Sequence, residues 1–262
     1  MAQAPQPFDL SGMAVLVTGG NGGIGLGMAE GLAQAGASVA VWGGNPEKNA
    51  AAEARLKAHG GRVLVQRCDV SDEEEVEARM AEIVEAFGRL DGCFANAGKS
   101  NPRTPFHELT TAAWRDVMAV NLDGAFFTLR AAARHMVGRA KAGDPGGRLV
   151  VTSSTSTIHG PAGAVAYGAS KGALGPMVRA LSVELARYGI TANALVPGWI
   201  ETEMTAGKIA DERFAGAVLP RIPLRRWGRG EDFGGIAVYL MSDSSRYHTG
   251  DSLVIDGAYT LF

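Results

Sequence analysis

Cysteine, histidine and net charge are all scarce in this chain, and each shortage excludes a class of protein. The 262 residues include two cysteines, Cys68 and Cys93, both in or beside apolar runs, which predicts buried free thiols rather than a disulfide. Free thiols are typical of the cytoplasm, where we expect the protein. A formal charge of −2 provides no basic field for nucleic acid or for an anionic membrane surface.

Long apolar runs are absent as well. No segment approaches the ~20 apolar residues that a membrane-spanning helix needs, so no membrane partner is expected. The segment Met1–Pro7 lacks a basic region followed by an apolar one, which predicts a short tail rather than an export signal. The five histidines show no ligand spacing, so we expect no metal site.

The chain is rich in short apolar runs that alternate with helix-length amphipathic segments. Because these runs show no period-two alternation, they are typical of strands covered on both faces of a parallel sheet, with helices on both sides. Strands are predicted at Ala14–Val17, Ser38–Trp42, Arg62–Cys68, Gly92–Ala95, Arg148–Thr152, Thr191–Val196 and Ser252–Ile255. Helices are predicted near 23–35, 46–59, 73–87, 112–138, 167–187 and 231–242.

No long Pro/Gly/Ser linker divides the chain, which predicts one domain over residues 1–262. The segment 199–229 interrupts the strand–helix rhythm and contains Pro220 and Pro223. An insertion of this size after a strand often covers a site, so we expect a substrate lid at about 199–229. A packed surface excursion explains the same residues equally well.

A glycine cluster lies between the first predicted strand and the first predicted helix, in Val15-Leu-Val-Thr-Gly-Gly-Asn-Gly-Gly-Ile-Gly25. Glycines permit a tight turn and let a diphosphate approach the helix N-terminus, where free N–H groups favour an anion. A tight turn alone is the simpler interpretation. The position within a strand–helix–strand unit favours dinucleotide binding.

Tyr167 and Lys171 are four residues apart in a predicted helix. Positions i and i+4 share a helix face, so the ammonium can favour the phenolate of a side chain that ordinarily titrates near pH 10. Such a pair suits a general acid/base that acts on an alcohol or ketone oxygen. The pair alone is common, and Tyr167 alone could be a core aromatic residue.

Together these motifs resemble the short-chain dehydrogenase/reductase family. The match runs from about Asp9 to Gly257 and includes the cofactor signature Thr18-Gly19-x-x-x-Gly23-Ile24-Gly25, the Asn96-Ala97-Gly98 motif and Pro197-Gly198. The four positions of the family's catalytic tetrad are Asn121, Ser154, Tyr167 and Lys171. The resemblance implies a single-domain Rossmann fold, a doubly wound, mostly parallel seven-stranded sheet with helices on both faces. It also implies an NAD(P)-dependent oxidoreductase that interconverts a secondary alcohol and a ketone.

The resemblance implies a role for each tetrad residue. Tyr167 would exchange a proton with the substrate oxygen, and Ser154 would hydrogen-bond the same oxygen. Lys171 would lower the pKa of Tyr167 and hold the nicotinamide ribose, and Asn121 would anchor a water that links Lys171 to solvent. Taken singly, Ser154 is typical of a turn hydroxyl and Asn121 of a helix residue bonded to nearby backbone.

The resemblance also implies the contacts of the cofactor and the substrate. The expected cofactor contacts are Thr18, Gly19, Asn21, Gly23, Ile24, Gly25, Asn45, Asp69, Val70, Asn96, Ala97, Gly98, Tyr167, Lys171, Pro197, Gly198, Ile200 and Thr202. Asp69 would hold the adenine, although it could merely begin the helix near 73–87. Thr202 would contact the carboxamide, although it could be a helix cap. The expected substrate pocket contains His159, Trp199 and Met204, of which the first two could equally be packing residues.

The choice of nicotinamide depends on the residues that follow the second strand. An acid there favours NAD, because it binds the ribose diol, and a basic residue favours NADP. This chain has Gly43-Gly44-Asn45, and Gly22 occupies the second position that could carry a basic residue. Asn45 could serve a neutral ribose, whereas Lys48 might still reach a phosphate. We therefore predict a preference for NAD(H) over NADP(H).

Four further expectations concern partners and alternative functions. A 3-oxoacyl-[acyl-carrier-protein] reductase would need a basic entrance, for which Arg221, Arg225, Arg226 and Arg229 are candidates, although a solvated charged face explains them equally well. A regulatory or scaffolding protein on the same fold is the alternative from another class. The Tyr167–Lys171 spacing is shorter than that of the family's enoyl reductases, which argues against double-bond reduction. We expect a homotetramer, with the apolar tail Ala258–Phe262 either between subunits or folded back on its own.

Overall fold

The computed structural model describes residues 7–262, and its centre is a parallel sheet of seven strands. The strand order is β3-β2-β1-β4-β5-β6-β7, and every pairing is parallel. The strands are β1 Ala14–Thr18, β2 Ser38–Trp42, β3 Val63–Gln66, β4 Gly92–Ala95, β5 Gly147–Thr152, β6 Ile190–Pro197 and β7 Ser252–Ile255. The predicted strands are confirmed, with β3 shorter by three residues and β1, β5 and β6 slightly longer.

Helices cover both faces of the sheet and enclose two apolar cores. The helices are α1 Gly23–Gln34, α2 Pro46–Lys57, α3 Glu73–Phe87, α4 Thr111–Met118, α5 Gly124–Lys141, α6 Val165–Leu185, α7 Glu203–Ile209, α8 Glu212–Val218 and α9 Gly234–Met241. One core lies between the sheet and α3, α5 and α6, and the other lies between the sheet and α1, α2 and α9. The predicted doubly wound α/β fold is confirmed.

The prediction of one continuous helix over 112–138 was wrong. A π-helical segment, Ala119–Asp123, separates α4 from α5. Such a segment widens the helix locally and is frequent at functional sites. Asn121 lies within it, almost completely buried.

The direction in which successive strands are added across the sheet reverses at β1. This strand pairs with β2 on one side and with β4 on the other. The crossovers therefore leave in opposite directions at this point, and a crevice opens at the carboxyl ends of β1 and β4. The fold thus predicts the location of a ligand site before any functional side chain is considered.

Both cysteines are buried and unpaired, as the sequence predicts. Burial raises the pKa of both thiols, that of Cys68 to about 12. Since the thiolate is the reactive form, neither thiol is suited to nucleophilic or metal chemistry.

His135 makes the stability of this fold dependent on pH. Its Nε2 accepts a hydrogen bond from the Leu90 N–H at 3.1 Å, so that nitrogen must be unprotonated. Burial, followed by the charge of Arg139, lowers the pKa of His135, although Asp91 acts in the opposite direction. The unfolded chain therefore takes up this proton at a higher pH than the folded protein, and stability falls as pH drops below about 6.5.

We expect His135→Gln to reduce this pH dependence, because an amide oxygen can accept the same hydrogen bond and does not titrate. The measurement is urea unfolding at pH 7.5 and pH 5.5, in which the wild type should lose more stability than the variant, by on the order of 1 kcal/mol. Equal losses in the two proteins would show that His135 is not the titrating group.

Candidate active site

A cavity of about 410 Å³ opens at the carboxyl ends of β1, β4, β5 and β6. Most of the site residues predicted from the sequence form its wall. They are Gly19, Asn21, Gly23, Ile24, Gly25, Asn96, Ala97, Gly98, Ser154, Tyr167, Lys171, Pro197, Gly198, Ile200, Thr202 and Met204.

The wall also contains residues that sequence reasoning missed: Gly22, Thr152, Ser153 and Thr205, together with Lys48 and Glu203. Lys48 was considered only as a residue that could reach a phosphate, and Glu203 was not predicted to line the cavity. Thr152 ends β5, and Ser153 lies between it and Ser154. Their position at the carboxyl end of a predicted strand could have identified them as residues of the cavity wall. Thr205 forms a capping box with Thr202 at the start of α7, a pattern that is visible in the sequence.

The glycine turn is shaped for a diphosphate. At Gly25 an added Cβ would lie 2.2 Å from the Gly19 carbonyl oxygen, so only glycine permits this close turn. No side chain caps the N-terminus of α1, which leaves its first N–H groups directed at the cavity. The space in front of this turn therefore fits the diphosphate of a dinucleotide.

A hydrogen-bonded network joins the ends of β1, β4 and β5 behind the turn. Thr18 lies behind the wall, where its hydroxyl accepts from the N–H groups of Asn96, at 3.0 Å, and Ala97, at 2.9 Å. Asn96 donates to the Thr18 carbonyl and accepts from the Thr152 hydroxyl, both at 3.0 Å. The network fixes the backbone that faces the cavity.

Lys171 lies on the first turns of α6 and is 4% exposed. Its Nζ donates to the Thr152 carbonyl at 2.7 Å, and burial lowers its pKa to about 8. Lys171 is therefore charged over most of its population at pH 7 and mostly neutral by pH 9.

Tyr167 precedes Lys171 by one helical turn and lines the same cavity. Burial raises the pKa of its phenol, and the hydrogen bond with Ser154 opposes that rise. Lys171 is not among the causes of this shift, since its ammonium donates to the Thr152 carbonyl, and its influence on the pKa of Tyr167 stays a prediction. Ser154 also accepts a hydrogen bond from the Ser156 N–H at 3.1 Å, so it caps a turn as well as facing the cavity.

Asn121 lies behind the cavity wall rather than in it. Its Oδ1 accepts from the Lys99 N–H at 2.8 Å, and its Nδ2 donates to the Lys99 carbonyl at 2.9 Å and to the Ser170 hydroxyl at 3.0 Å. An added Cβ at Gly98 would lie 3.2 Å from the Lys171 Nζ and 3.3 Å from the Asn121 Oδ1. The π segment thus brings Asn121 close to the lysine and ties it to the loop after β4.

Three other predicted contacts lie outside the wall. Asn45 caps α2 through the Lys48 N–H at 3.1 Å. The Asp69 carboxylate accepts from the backbone and hydroxyl of Ser71, which lowers its pKa, and Asp72 rather than Asp69 caps α3. Val70 is buried against Gly124, at the start of α5.

His159 and Trp199 also lie outside the wall, whereas Met204 lies in it. The His159 ring packs edge-on against Tyr259, with ring centroids 5.4 Å apart, and its Nε2 is buried without a hydrogen-bond partner among residues 7–262. Trp199 packs edge-on against Phe214 with centroids 4.9 Å apart. Both rings thus contribute to packing beside the cavity.

The two ends of the segment 199–229 lie next to each other, just after β6. The ends are joined where the Gly228 N–H donates to the Trp199 carbonyl at 2.9 Å and the Glu201 N–H donates to the Gly228 carbonyl at 2.8 Å. Between them α7 lies beside the cavity, since Glu203, Met204 and Thr205 belong to its wall.

The four arginines near this segment do not form a free basic entrance. Arg226 makes two hydrogen bonds to Asp232, and Arg229 pairs with Glu201 at 3.4 Å. Arg221 lies over the Tyr259 ring, and Arg225 donates to the Pro220 carbonyl. Since each guanidinium has a partner within the chain, the cluster gives no support to docking of an acidic carrier protein.

The described residues contain neither a membrane-spanning helix nor a cluster of metal ligands. Across 7–262, no helix is long and apolar enough to cross a membrane. The same range contains no cluster of three or more His, Cys, Asp or Glu side chains arranged to hold a metal ion.

Comparison with known proteins places this chain among oxidoreductases. A family model described as "Enoyl-(Acyl carrier protein) reductase" matches residues 19–260. Gluconate 5-dehydrogenase of Gluconobacter oxydans is 36% identical over 257 residues, which is 98% of each chain. Cis-4-hydroxycyclohexanecarboxylate dehydrogenase of Sinomonas cyclohexanicum is 38% identical over 94% of this chain and 95% of its own. The crystal structure of a gluconate 5-dehydrogenase from Burkholderia cenocepacia, in complex with NADP and tartrate, has a TM-score of 0.90 with 34% identity and covers 98% of each chain.

Proposed function

Since the chain belongs to the short-chain dehydrogenase/reductase family, as an NAD(P)-dependent oxidoreductase of alcohols and ketones, we propose that Tyr167 is its proton-transfer group and a hydroxy acid its substrate. The carrying observation for the substrate is a pair of cations, Arg103 and Lys208, which lie close enough together for the charge of Arg103 to lower the pKa of Lys208. The proton-transfer role is supported by the placement of Tyr167, Ser154 and Lys171 around one cavity.

Each member of the tetrad has a distinct task in this proposal. The nicotinamide cofactor supplies or accepts the hydride. Tyr167 donates its phenolic proton to the substrate oxygen during ketone reduction and takes it back during alcohol oxidation. Ser154 hydrogen-bonds the same oxygen and stabilises the charge that develops on it. Lys171 holds the ribose and, while protonated, favours the phenolate; Asn121 connects it to solvent through a water.

The substrate proposal rests on two cations without a counter-ion. Burial, followed by the charge of Arg103, lowers the pKa of Lys208. The Lys208 Nζ lies 5.7 Å from the centre of the Trp199 ring, and the two residues belong to the same segment, 199–229. Neither cation has a carboxylate within 4.0 Å among residues 7–262. Two like charges held together without an acid are unfavourable, and a substrate carboxylate would relieve the repulsion.

Arg103 belongs to the loop after β4, which is joined to the loop after Ser154. The Thr104 N–H donates to the Gly163 carbonyl at 3.0 Å, and an added Cβ at Gly163 would lie 3.1 Å from the Cβ of Arg103. Arg103 thus lies in a loop that is tied to the segment after Ser154. The named substrates of two relatives are hydroxy acids, which agrees with a carboxylate near these cations.

We expect Arg103→Gln combined with Lys208→Met to raise KM for a hydroxy acid by roughly 10- to 100-fold, since two charge-assisted contacts are removed. The comparison uses cis-4-hydroxycyclohexanecarboxylate and its neutral carboxamide, each followed by nicotinamide absorbance. KM for the carboxamide should change less than about threefold, because the amide gains little from the cations.

The matched control is Arg213→Gln, which removes an unpaired arginine from α8 in the same segment. It should leave both KM values unchanged. A double variant that weakened the acid and the carboxamide equally would contradict the carboxylate proposal, and the cations would then serve the lid instead.

We further propose NAD(H) as the preferred cofactor. Support comes from the turn after β2, where Gly43 and Gly44 have no side chain that could pair with a phosphate. Related solved structures contain NADP. Because the family uses both NAD and NADP, the residues after β2 in each chain decide which of the two binds better.

A homotetramer and a lid over 199–229 complete the proposal. Exposed apolar side chains support association: Phe106, Phe126, Val183, Tyr247, Leu261 and Phe262. In the tail, Tyr259 folds back on its own subunit, whereas Leu261 and Phe262 remain exposed. The contribution of α7 to the cavity wall supports the lid, and the two buried free thiols support a cytoplasmic location.

A further inference from the structure

Among residues 7–262, Lys48 is the cation of the cavity wall that has an exposed side chain. Two cationic side chains line the cavity, and the other, Lys171, is buried against the Thr152 carbonyl. Lys48 lies in the first turn of α2, three residues after the cap Asn45. This is the region after β2, where a dinucleotide places its adenosine ribose.

Lys48 is held by an acid from the opposite side of the cavity. Its Nζ pairs with the carboxylate of Glu203, which lies in the first turn of α7. The Glu203 side chain is 77% exposed and touches no other cation within 4.0 Å among the described residues. A carboxylate at a helix N-terminus is favoured by the helix dipole, so Glu203 is stable in this position.

Among Gly43, Gly44, Asn45 and Asn49, no side chain could replace Lys48 as a charge partner for a phosphate. Gly43 and Gly44 lack side chains, and the Asn45 side-chain oxygen accepts the Lys48 N–H. The Asn49 side chain is also committed, because it donates to the Gly43 carbonyl at 2.9 Å and accepts from Asn21 at 2.7 Å. A 2′-phosphate at this turn would therefore depend on Lys48 for its charge pairing.

We propose that Glu203 is a specificity-determining residue that disfavours NADP by competing with the 2′-phosphate for Lys48. The phosphate dianion gains its charge-assisted contact only if the Lys48–Glu203 pair opens. NAD has no group at the 2′ position that needs the lysine, so its binding leaves the pair intact. This inference rests on the proposed function, in that it assumes a nicotinamide dinucleotide in the cavity.

The experiment is calorimetric titration of NAD⁺ and NADP⁺ into the intact protein, which reports binding without turnover. Glu203→Gln keeps the size of the side chain and removes its charge. We expect this variant to bind NADP⁺ roughly three- to tenfold more tightly, as for one partly exposed charge pair, and NAD⁺ within twofold of the wild type. Adding Lys48→Met should abolish the gain.

The matched control is Glu201→Gln, two residues earlier, which removes an acid paired with Arg229 instead. It should change neither Kd. The inference is overturned if Glu203→Gln tightens both dinucleotides equally, if Glu201→Gln has the same effect, or if the gain persists without Lys48. Failure of wild-type protein to bind either dinucleotide would overturn the proposed function as well, whereas normal binding with an unselective Glu203→Gln would overturn this inference alone.

Discussion

The variant Tyr167→Phe is expected to lose 10²- to 10⁴-fold in kcat, the range over which a positioned general acid/base contributes. The phenylalanine ring fills the same space and removes only the hydroxyl that exchanges the proton and contacts Ser154. Fold and cofactor affinity should therefore be nearly unchanged. The measurements are kcat by nicotinamide absorbance, melting temperature, and the Kd of NAD⁺.

Tyr188→Phe provides the matched control for this prediction. Tyr188 lies just beyond the opposite end of α6, outside the cavity wall, so loss of its hydroxyl should leave kcat within twofold. If Tyr167→Phe retained full turnover, Tyr167 would not be the proton-transfer group. The regulatory or scaffolding interpretation of the fold would then become the better one.

The pH profile depends on Lys171 as well as on Tyr167. Burial lowers the pKa of Lys171 to about 8 and raises that of Tyr167. In the proposed mechanism the lysine favours the phenolate only while it is protonated, so we expect its assistance to be present below about pH 8 and to fade above it. The sequence predicted the pairing of these two side chains, but not that each would be displaced from its ordinary pKa by burial.

Much of the fold was predictable because parallel sheets leave a strong sequence signal. Strands such as Ser38–Trp42 and Gly92–Ala95 are buried on both faces and are therefore continuously apolar. The π segment at Ala119–Asp123 was not predictable, because its residues have the same apolar spacing as an α-helix. That segment nevertheless decides where Asn121 lies.

In the candidate site, too, some features were predictable from the sequence and others were not. The glycine turn and the Tyr167–Lys171 spacing depend on neighbours in sequence, so a motif reveals them. The pairs Lys48–Glu203 and Arg103–Lys208 join residues that are more than 100 positions apart. Their members are ordinary surface charges in the sequence, and only the return of segment 199–229 to the sheet brings them together.

The largest expected loss of stability comes from Gly27→Ala. An added Cβ at Gly27 would lie 1.9 Å from the carbonyl oxygen of Gly230, and this neighbour is backbone rather than a flexible side chain. One turn later, a Cβ at Gly31 would lie 2.6 Å from the Cα of Gly234. The glycines let α1 lie directly on Gly230, just before α9, and on the first residue of α9, which also fixes the glycine turn at the N-terminus of α1.

We expect Gly27→Ala to lower the free energy of unfolding by about 3 kcal/mol or more, at the upper end of overpacking costs, because α1 must move as a unit. Urea unfolding measures this loss, and weaker NAD⁺ binding should accompany it since the turn moves with the helix. The matched control is Gly138→Ala in the interior of α5, where an added Cβ meets nothing within 4 Å. Removing a helix glycine there should stabilise the protein by roughly 0.5–1 kcal/mol. If Gly27→Ala destabilises the protein and Gly138→Ala stabilises it, contact with Gly230, rather than helix propensity, requires glycine at position 27. Stabilisation by both substitutions would contradict this close packing of α1.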